Sequence, residues 1–227
     1  MALWQIDSAT LQSQPEIMCN LYRLNRTGAE VAGIFGTTAA TGGNVGAEVY
    51  PGYPGWVIAG DQLRTMTWGF PLTMKGKQGQ PLKPKPVNNA RTDKLESGFW
   101  RPSFQARRCL IPVEAFAEAE GPKGAMCRTW LLLPDQPVFL CAGIWRESVE
   151  WGAVYSMVMT DPCETTACVH DRMPVILRPE AREQWLEGSP EEALALCRPY
   201  EGAIIIERTT DRWVKRADPT TKALPLV

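Results

Sequence analysis

The stretch Arg108-Cys-Leu-Ile-Pro-Val-Glu-Ala-Phe-Ala-Glu-Ala-Glu120 decides how the chain folds. Cys109 to Val113 is an unbroken apolar run of strand length. Phe116 to Glu120 follows with larger and smaller side chains alternating, so two strands succeed one another with no helix between them. Further strand candidates lie on the C-terminal side at Arg128–Leu133, Val138–Trp145 and Ala153–Thr160, with a last β-branched one at Ala203–Glu207. On the N-terminal side, Met18–Arg23 reads as a short strand, and Trp56–Ala59 and Leu63–Phe70 as a pair across the Gly60-Asp61 turn. Helical signals are short: Thr27–Phe35, Ser97–Arg107, Pro179–Leu186 with proline at its start, and Glu191–Cys197. Gly76–Pro86 is too rich in Gly, Pro, Gln and Lys for regular structure. Strands dominate and no βαβ alternation or repeat occurs. The pattern predicts an α+β fold: a single domain, mainly an antiparallel, barrel-like sheet with short peripheral helices.

Composition narrows the function classes. With 44% hydrophobic residues and nine tryptophans, the 227-residue chain has ample material for one core. No apolar run approaches the roughly 20 residues of a membrane span. Residues Met1 to Ile17 contain no Lys or Arg and no signal-peptide pattern, so a cytoplasmic protein with no membrane partner is expected. The seven cysteines are an odd, scattered set. They suit small buried hydrophobes in a reducing compartment rather than a disulfide framework. Net charge is −1, yet nine basic residues lie between Lys75 and Arg108 against only Asp93 and Glu96. That stretch is either a solvated loop or a local anion-binding face.

Three features carry chemistry. His170 is the only histidine, set in a charged His-Asp-Arg turn between the strand Ala153–Thr160 and the apolar Val175-Ile-Leu177. Loops on a rigid sheet commonly hold functional groups, and imidazole moves protons near neutral pH. Asn88-Asn-Ala-Arg-Thr92 is a polar cluster at the end of the basic stretch, and also an ordinary turn composition. Glu118 shares the strand face of Phe116, so its carboxylate points to an apolar side; it is either ion-paired or an acid with a raised pKa.

Taken in order, Met18-Cys19, Trp68-Gly-Phe-Pro71, Asn89-Ala-Arg91, Arg108-Cys-Leu-Ile-Pro112 with Phe116-Ala-Glu118, and His170-Asp-Arg-Met-Pro174 resemble the SOS response-associated peptidase (SRAP) family. That family is best known from proteins that crosslink themselves to abasic sites in DNA. The resemblance runs from about Met18 to the C-terminus. It implies that Cys19 becomes the first residue, so that a free α-amine stands beside its thiol. The amine would form a Schiff base with the ring-opened abasic sugar and the thiol would close a thiazolidine. By the same likeness Asn89 orients the amine or the sugar, Glu118 assists proton transfer, and His170 acts as acid or base on the deoxyribose. Arg91 and Arg172 resemble the family's phosphate-binding arginines, with Trp68 and Thr160 lining the DNA cleft. The implied partner is single-stranded DNA containing abasic sites, bound by a monomer that is nucleoid-associated when on DNA; no cofactor and no metal are implied.

Two departures from the family pattern stand out. Cys19-Asn-Leu21 replaces the frequent Cys-Gly-Arg, which removes a phosphate contact unless Arg23 substitutes. Glu114-Ala-Phe-Ala-Glu-Ala119 keeps the glutamate of the frequent Asp-Gly-Phe-Tyr-Glu-Trp but loses its aromatic neighbours. Residues 1–17 read as an extension absent from or removed in the active protein, with 18–227 as the SRAP-like domain. A start at Met18 is the expected explanation, since aminopeptidases readily trim Met before a small residue. Losing residues 1–18 takes the formal charge from −1 to +1. Three rival readings remain: a thiol peptidase or amidase using Cys19 and His170; a zinc site built on Cys163, Cys168 and His170, whose spacing fits no standard hook; and a catalytically dead DNA-binding module.

Overall fold

A computed structural model describes residues 19–39 and 43–213. The N-terminal part comprises β1 (Leu21–Arg23), α1 (Gly28–Phe35), β2 (Thr38–Ala39), β3 (Glu48–Val49), β4 (Pro54–Ala59), β5 (Gln62–Trp68), β6 (Phe70–Leu72), β7 (Lys85–Val87) and β8 (Asn89–Arg91). It continues through α2 (Arg101–Ala106), β9 (Arg108–Val113), β10 (Ala115–Glu120), β11 (Cys127–Leu132), β12 (Phe139–Ser148) and β13 (Gly152–Thr160). The chain then adds β14 (Met173–Pro174), β15 (Ile176–Leu177), α3 (Arg182–Glu187), α4 (Pro190–Ala195) and β16 (Ile205–Arg212).

Five strands close a barrel. β5 pairs with β4 across the Gly60 turn, β4 with β9, β9 with β12 and β12 with β13, all antiparallel. β13 then returns to β5 in parallel, Val154 opposite Thr67 and Tyr155 opposite Trp68. Closure leaves no open edge in this ring. The side-chain alternation of the strands sorts the core into two layers. Leu110, Ala142, Val154 and Ile58 share a cluster with the helix residues Val31, Phe104, Trp185 and Ala193, which places that layer outside the barrel. Cys109, Ile111, Cys141, Met157, Val57 and Met66 form the inner layer, together with Cys19, Tyr22 and Phe116.

β9 runs almost directly into β10, which leaves the barrel to join a second antiparallel sheet in the order β16-β11-β10-β1-β3. β1 lies against β10 with Leu21 opposite Ala117 and Tyr22 opposite Phe116. This second sheet carries Cys19 and Glu118 over the inner layer. Tight fits hold the arrangement: a Cβ on Gly55 would lie 2.2 Å from the Tyr22 hydroxyl and 2.1 Å from that of Tyr155, the two phenols being 2.5 Å apart. Only hydrogen fits there.

The mainly antiparallel barrel with short outer helices agrees with the expectation, and the differences have physical causes. The expected helix Ser97–Arg107 contracts to α2, and Pro179–Leu186 divides into a 3-10 turn at Pro179–Ala181 followed by α3. The C-terminal strand is longer than Ala203–Glu207 suggests, because β16 is an edge strand with both faces largely solvated and its polar half shows no alternation. Lys85 and Pro86, expected in a loop, pair with β6. Arg108 does not belong to any anion-binding face. It is 8% exposed, and its guanidinium donates to the carbonyls of Phe104, Trp185 and Gly188, tying the ends of α2 and α3 to the barrel. Met18 and the expected extension lie outside the described residues.

Candidate active site

Cys19 stands immediately before β1 and is fully buried. Two neighbouring asparagines grip its carbonyl, which accepts from Asn88 Nδ2 at 3.0 Å and from Asn89 Nδ2 at 2.8 Å. Those asparagines are themselves fixed by the barrel. The Asn88 carbonyl accepts from the Trp68 indole N–H and from the Met157 backbone, each at 2.9 Å, and Asn89 lies opposite Met157 in the β8–β13 pairing. The Cys19 thiol makes a long contact of 3.7 Å to the Leu21 carbonyl. Burial pushes this thiol well above the usual cysteine range, and the Glu118 carboxylate raises it further. It is therefore a neutral thiol at physiological pH.

Glu118 on β10 is 1% exposed. Neither of its oxygens has a hydrogen-bond partner among the described residues, and the same holds for Asn89 Oδ1. Burial first, and the negative charge of Asp171 second, hold the Glu118 carboxyl well above the ordinary carboxylate range. Orphaned buried polar atoms cost about 1–3 kcal/mol each. Asn89, which holds the Cys19 carbonyl, carries one of them, and Glu118 carries two.

His170 supplies the next group. Its Nε2 lies 3.9 Å from Glu118 Oε2, while Nδ1 is 3.1 Å from both the Arg172 backbone nitrogen and Asp171 Oδ1. Nδ1 accepts from the Arg172 N–H, which fixes the ring with its Nε2 edge on the side of Glu118. The strand register explains the convergence. β8 ends with Arg91 opposite Met159, and β14 begins with Met173 opposite Thr160. Asn89, Arg91, Thr160 and the His170–Arg172 turn thus meet at one end of β13.

Both arginines at this end engage acidic partners. Arg91 binds Asp93 through two hydrogen bonds of 3.0 Å each, and Arg172 Nη1 lies 2.8 Å from Asp161. The hydrogen bonds from Arg91, then its charge and those of Lys94 and Arg172, pull the Asp93 carboxyl below its ordinary value. Both arginines therefore act on one rim.

Two expected cleft residues are placed differently. Trp68 is fully buried, its ring parallel to that of Tyr155 at 6.4 Å and edge-on to Tyr22 at 5.0 Å. It offers no face to a base and instead supports Asn88. Thr160 is 3% exposed, with its hydroxyl turned to the Cys197 carbonyl at 3.4 Å. Leu21 is buried against Ala115, Ala117 and Trp130. Arg23 lies 4.8 Å over the Trp130 ring and pairs with Glu207 at 3.6 Å. Asn88, Asp161 and Asp171 are functional neighbours not singled out from the sequence. Asn88 left a signal there as part of the Asn88–Thr92 cluster and Asp171 as part of the His170-Asp-Arg turn, whereas Asp161 left none. Among the described residues no three of His, Cys, Asp and Glu are grouped to hold a metal ion, and Cys168 is exposed, away from such a set.

Known proteins resemble the chain in sequence and in fold. Over 153 residues the chain is 31% identical to the abasic site processing protein YoqW of Bacillus subtilis, covering 62% of this chain and 66% of that relative. It is 30% identical, over 153 residues, to the abasic site processing protein YobE of the same species, with 62% and 67% covered. The fold matches a solved protein of Bordetella bronchiseptica with a TM-score of 0.71 at 22% identity, over 84% of this chain and 99% of that one. A protein of Bacteroides thetaiotaomicron matches with a TM-score of 0.70 at 20% identity, over 84% and 91%. The family model for SOS response associated peptidase (SRAP) matches residues 18–216, and the chain belongs to that family.

Proposed function

We propose that the chain senses abasic sites in single-stranded DNA and fixes itself to them through a thiazolidine at Cys19, once the residues before Cys19 are gone. The observation that carries this reading is the imbalance around that residue. Asn89 Oδ1 and both Glu118 oxygens are buried without hydrogen-bond partners among the described residues. A free α-amine at Cys19 brings N–H donors to this place. Relatives named abasic site processing proteins support the same substrate class.

The chemistry balances without an oxidant. The neutral amine, with an unperturbed pKa of about 8, attacks the C1′ aldehyde of the ring-opened sugar, and Asn89 orients it. Glu118, protonated, donates to the departing hydroxyl, so one water leaves and an imine forms. The Cys19 sulfur then bonds to that carbon while the thiol proton passes to the imine nitrogen. A thiol kept neutral suits this order: the amine reacts first, and the sulfur follows with its proton available. His170 serves ring opening of the deoxyribose as acid or base. Arg91 and Arg172 bind the flanking phosphates, where a planar fork matches two oxygens. A thiol peptidase needs a thiolate beside a base. Burial opposes that state of Cys19.

Incubation with an abasic single-stranded oligonucleotide, followed by denaturing electrophoresis, tests the reading. A band that survives denaturation is expected from the chain beginning at Cys19 and from neither the Cys19→Ala variant nor an amine-acetylated sample. A stable adduct in Cys19→Ala would overturn it.

A further inference from the structure

We propose that the groove beside Cys19 is a nucleobase subsite, which takes the unpaired base next to the abasic position. The inference rests on the crosslinking reading and deepens it. The groove has a volume of about 800 Å³ and is lined by Asn20, Asn88, Tyr50, Tyr53, Pro86 and Arg128 among others. It is continuous with the reactive residue through Asn88, whose amide donates both to the Cys19 carbonyl at 3.0 Å and to Asn20 Oδ1 at 2.9 Å.

Its electrostatics select a base over a phosphate. Arg128 is 3% exposed, and its Nη1 lies 2.8 Å from Glu48 Oε1. Its Nη2 donates to the Tyr50 hydroxyl at 2.9 Å, and that hydroxyl donates to Glu48 Oε2 at 2.6 Å. The Arg128–Glu48 pair is formally neutral, and Arg128 Nε, which has no partner among the described residues, is buried out of reach of a ligand. Burial, with Glu48 beside it, pushes the Tyr50 phenol up to about 12, so no charge appears on the ring near neutral pH. Phosphate has no free cation to meet in this triad, whereas the Asn20 and Asn88 amides and the Glu48 carboxylate suit the edge of a base.

The stacking surface is Tyr53. Its ring is 62% exposed and meets Tyr50 edge-to-face at 6.3 Å. An exposed tyrosine on a mobile loop would lose entropy on binding, but this one is held in place. Tyr53 N–H donates to the Tyr50 carbonyl at 3.0 Å, Trp68 N–H to the Tyr53 carbonyl at 2.9 Å, and Gly52 N–H to the Trp68 carbonyl at 2.7 Å. The same Trp68 holds Asn88. The ring and the reactive cysteine are therefore positioned by one scaffold, which lowers the cost of engaging a base and the lesion together.

The test measures binding of the chain beginning at Cys19 to single-stranded oligonucleotides by fluorescence anisotropy. Each carries one central tetrahydrofuran abasic analogue, flanked either by adenines or by a second tetrahydrofuran on the 5′ or the 3′ side. Removing the base on one side is expected to weaken binding by roughly tenfold, within the range for base–aromatic stacking. Tyr53→Ala should bind the intact oligonucleotide equally weakly and lose nothing more when the base is removed, while Tyr53→Phe retains the wild-type pattern. Equal affinity for all oligonucleotides, or a uniform loss in Tyr53→Ala, overturns the subsite. Adduct formation on a natural abasic site is scored in parallel: base-dependent binding without an adduct overturns the crosslinking reading alone, adduct formation without base dependence overturns the subsite alone, and no binding overturns both.

Discussion

The pocket around Cys19 and the rim a few residues away use opposite electrostatics. In the pocket, Glu118 and Asn89 are buried and short of partners, and burial raises the Glu118 carboxyl well above its ordinary value. On the rim, Arg91 and Arg172 face Asp93 and Asp161, whose side chains are 48% and 78% exposed. Charges in water exchange partners at little cost, since exposed pairs are worth about 0–1 kcal/mol. Desolvated acids hold or release protons at great cost. The rim is therefore suited to reversible exchange of carboxylate for phosphate, and the pocket to proton transfer during bond formation.

The largest effect should come from breaking the pocket. Glu118→Gln keeps the shape and removes the acid, and adduct formation is expected to slow by about 10²–10⁴-fold, the usual worth of a positioned proton donor. A rate within a factor of two of wild type would remove Glu118 from the chemistry. The same variant sharpens a stability prediction. Because the folded carboxyl titrates above its ordinary value of 4.5, the folded chain holds a proton that the unfolded chain has released once pH passes that value. Stability therefore falls as pH rises from 4.5 toward the folded pKa, and Glu118→Gln should flatten this part of the Tm-against-pH curve.

Smaller effects are expected on the rim. Arg172→Ala should weaken binding of abasic single-stranded DNA several-fold and reduce the salt slope by about one, as loss of one phosphate contact does. An unchanged slope would separate Arg172 from phosphate binding. Asp161→Asn should act in the opposite direction and tighten binding by about two- to threefold, because the 2.8 Å partner competing for Arg172 is gone. Weaker binding in that variant would mean that Asp161 positions Arg172 rather than competing with phosphate.

Parts of both regions were legible in the sequence. The apolar run of β9 and the alternation of β10 carried the sheet, and Glu118 on the Phe116 face announced a carboxyl in an apolar setting. The parallel closure of β13 onto β5 was hidden, because pairing between strands distant in the chain leaves no local mark. Asp161 was silent for the same reason: only the β13–β14 register brings it to Arg172. Trp68 was expected in the cleft from the family likeness, which carries no information on its burial in this chain; it is fully buried. Its indole hydrogen bond to Asn88 places it in the core.

Intact mass measurement after incubation with abasic single-stranded DNA tests the central claim most directly. The account predicts an adduct whose protein part begins at Cys19 and whose mass equals chain plus oligonucleotide less one water, with no thiol left to alkylate at that residue. An adduct formed by a chain that still carries the residues before Cys19 would contradict it.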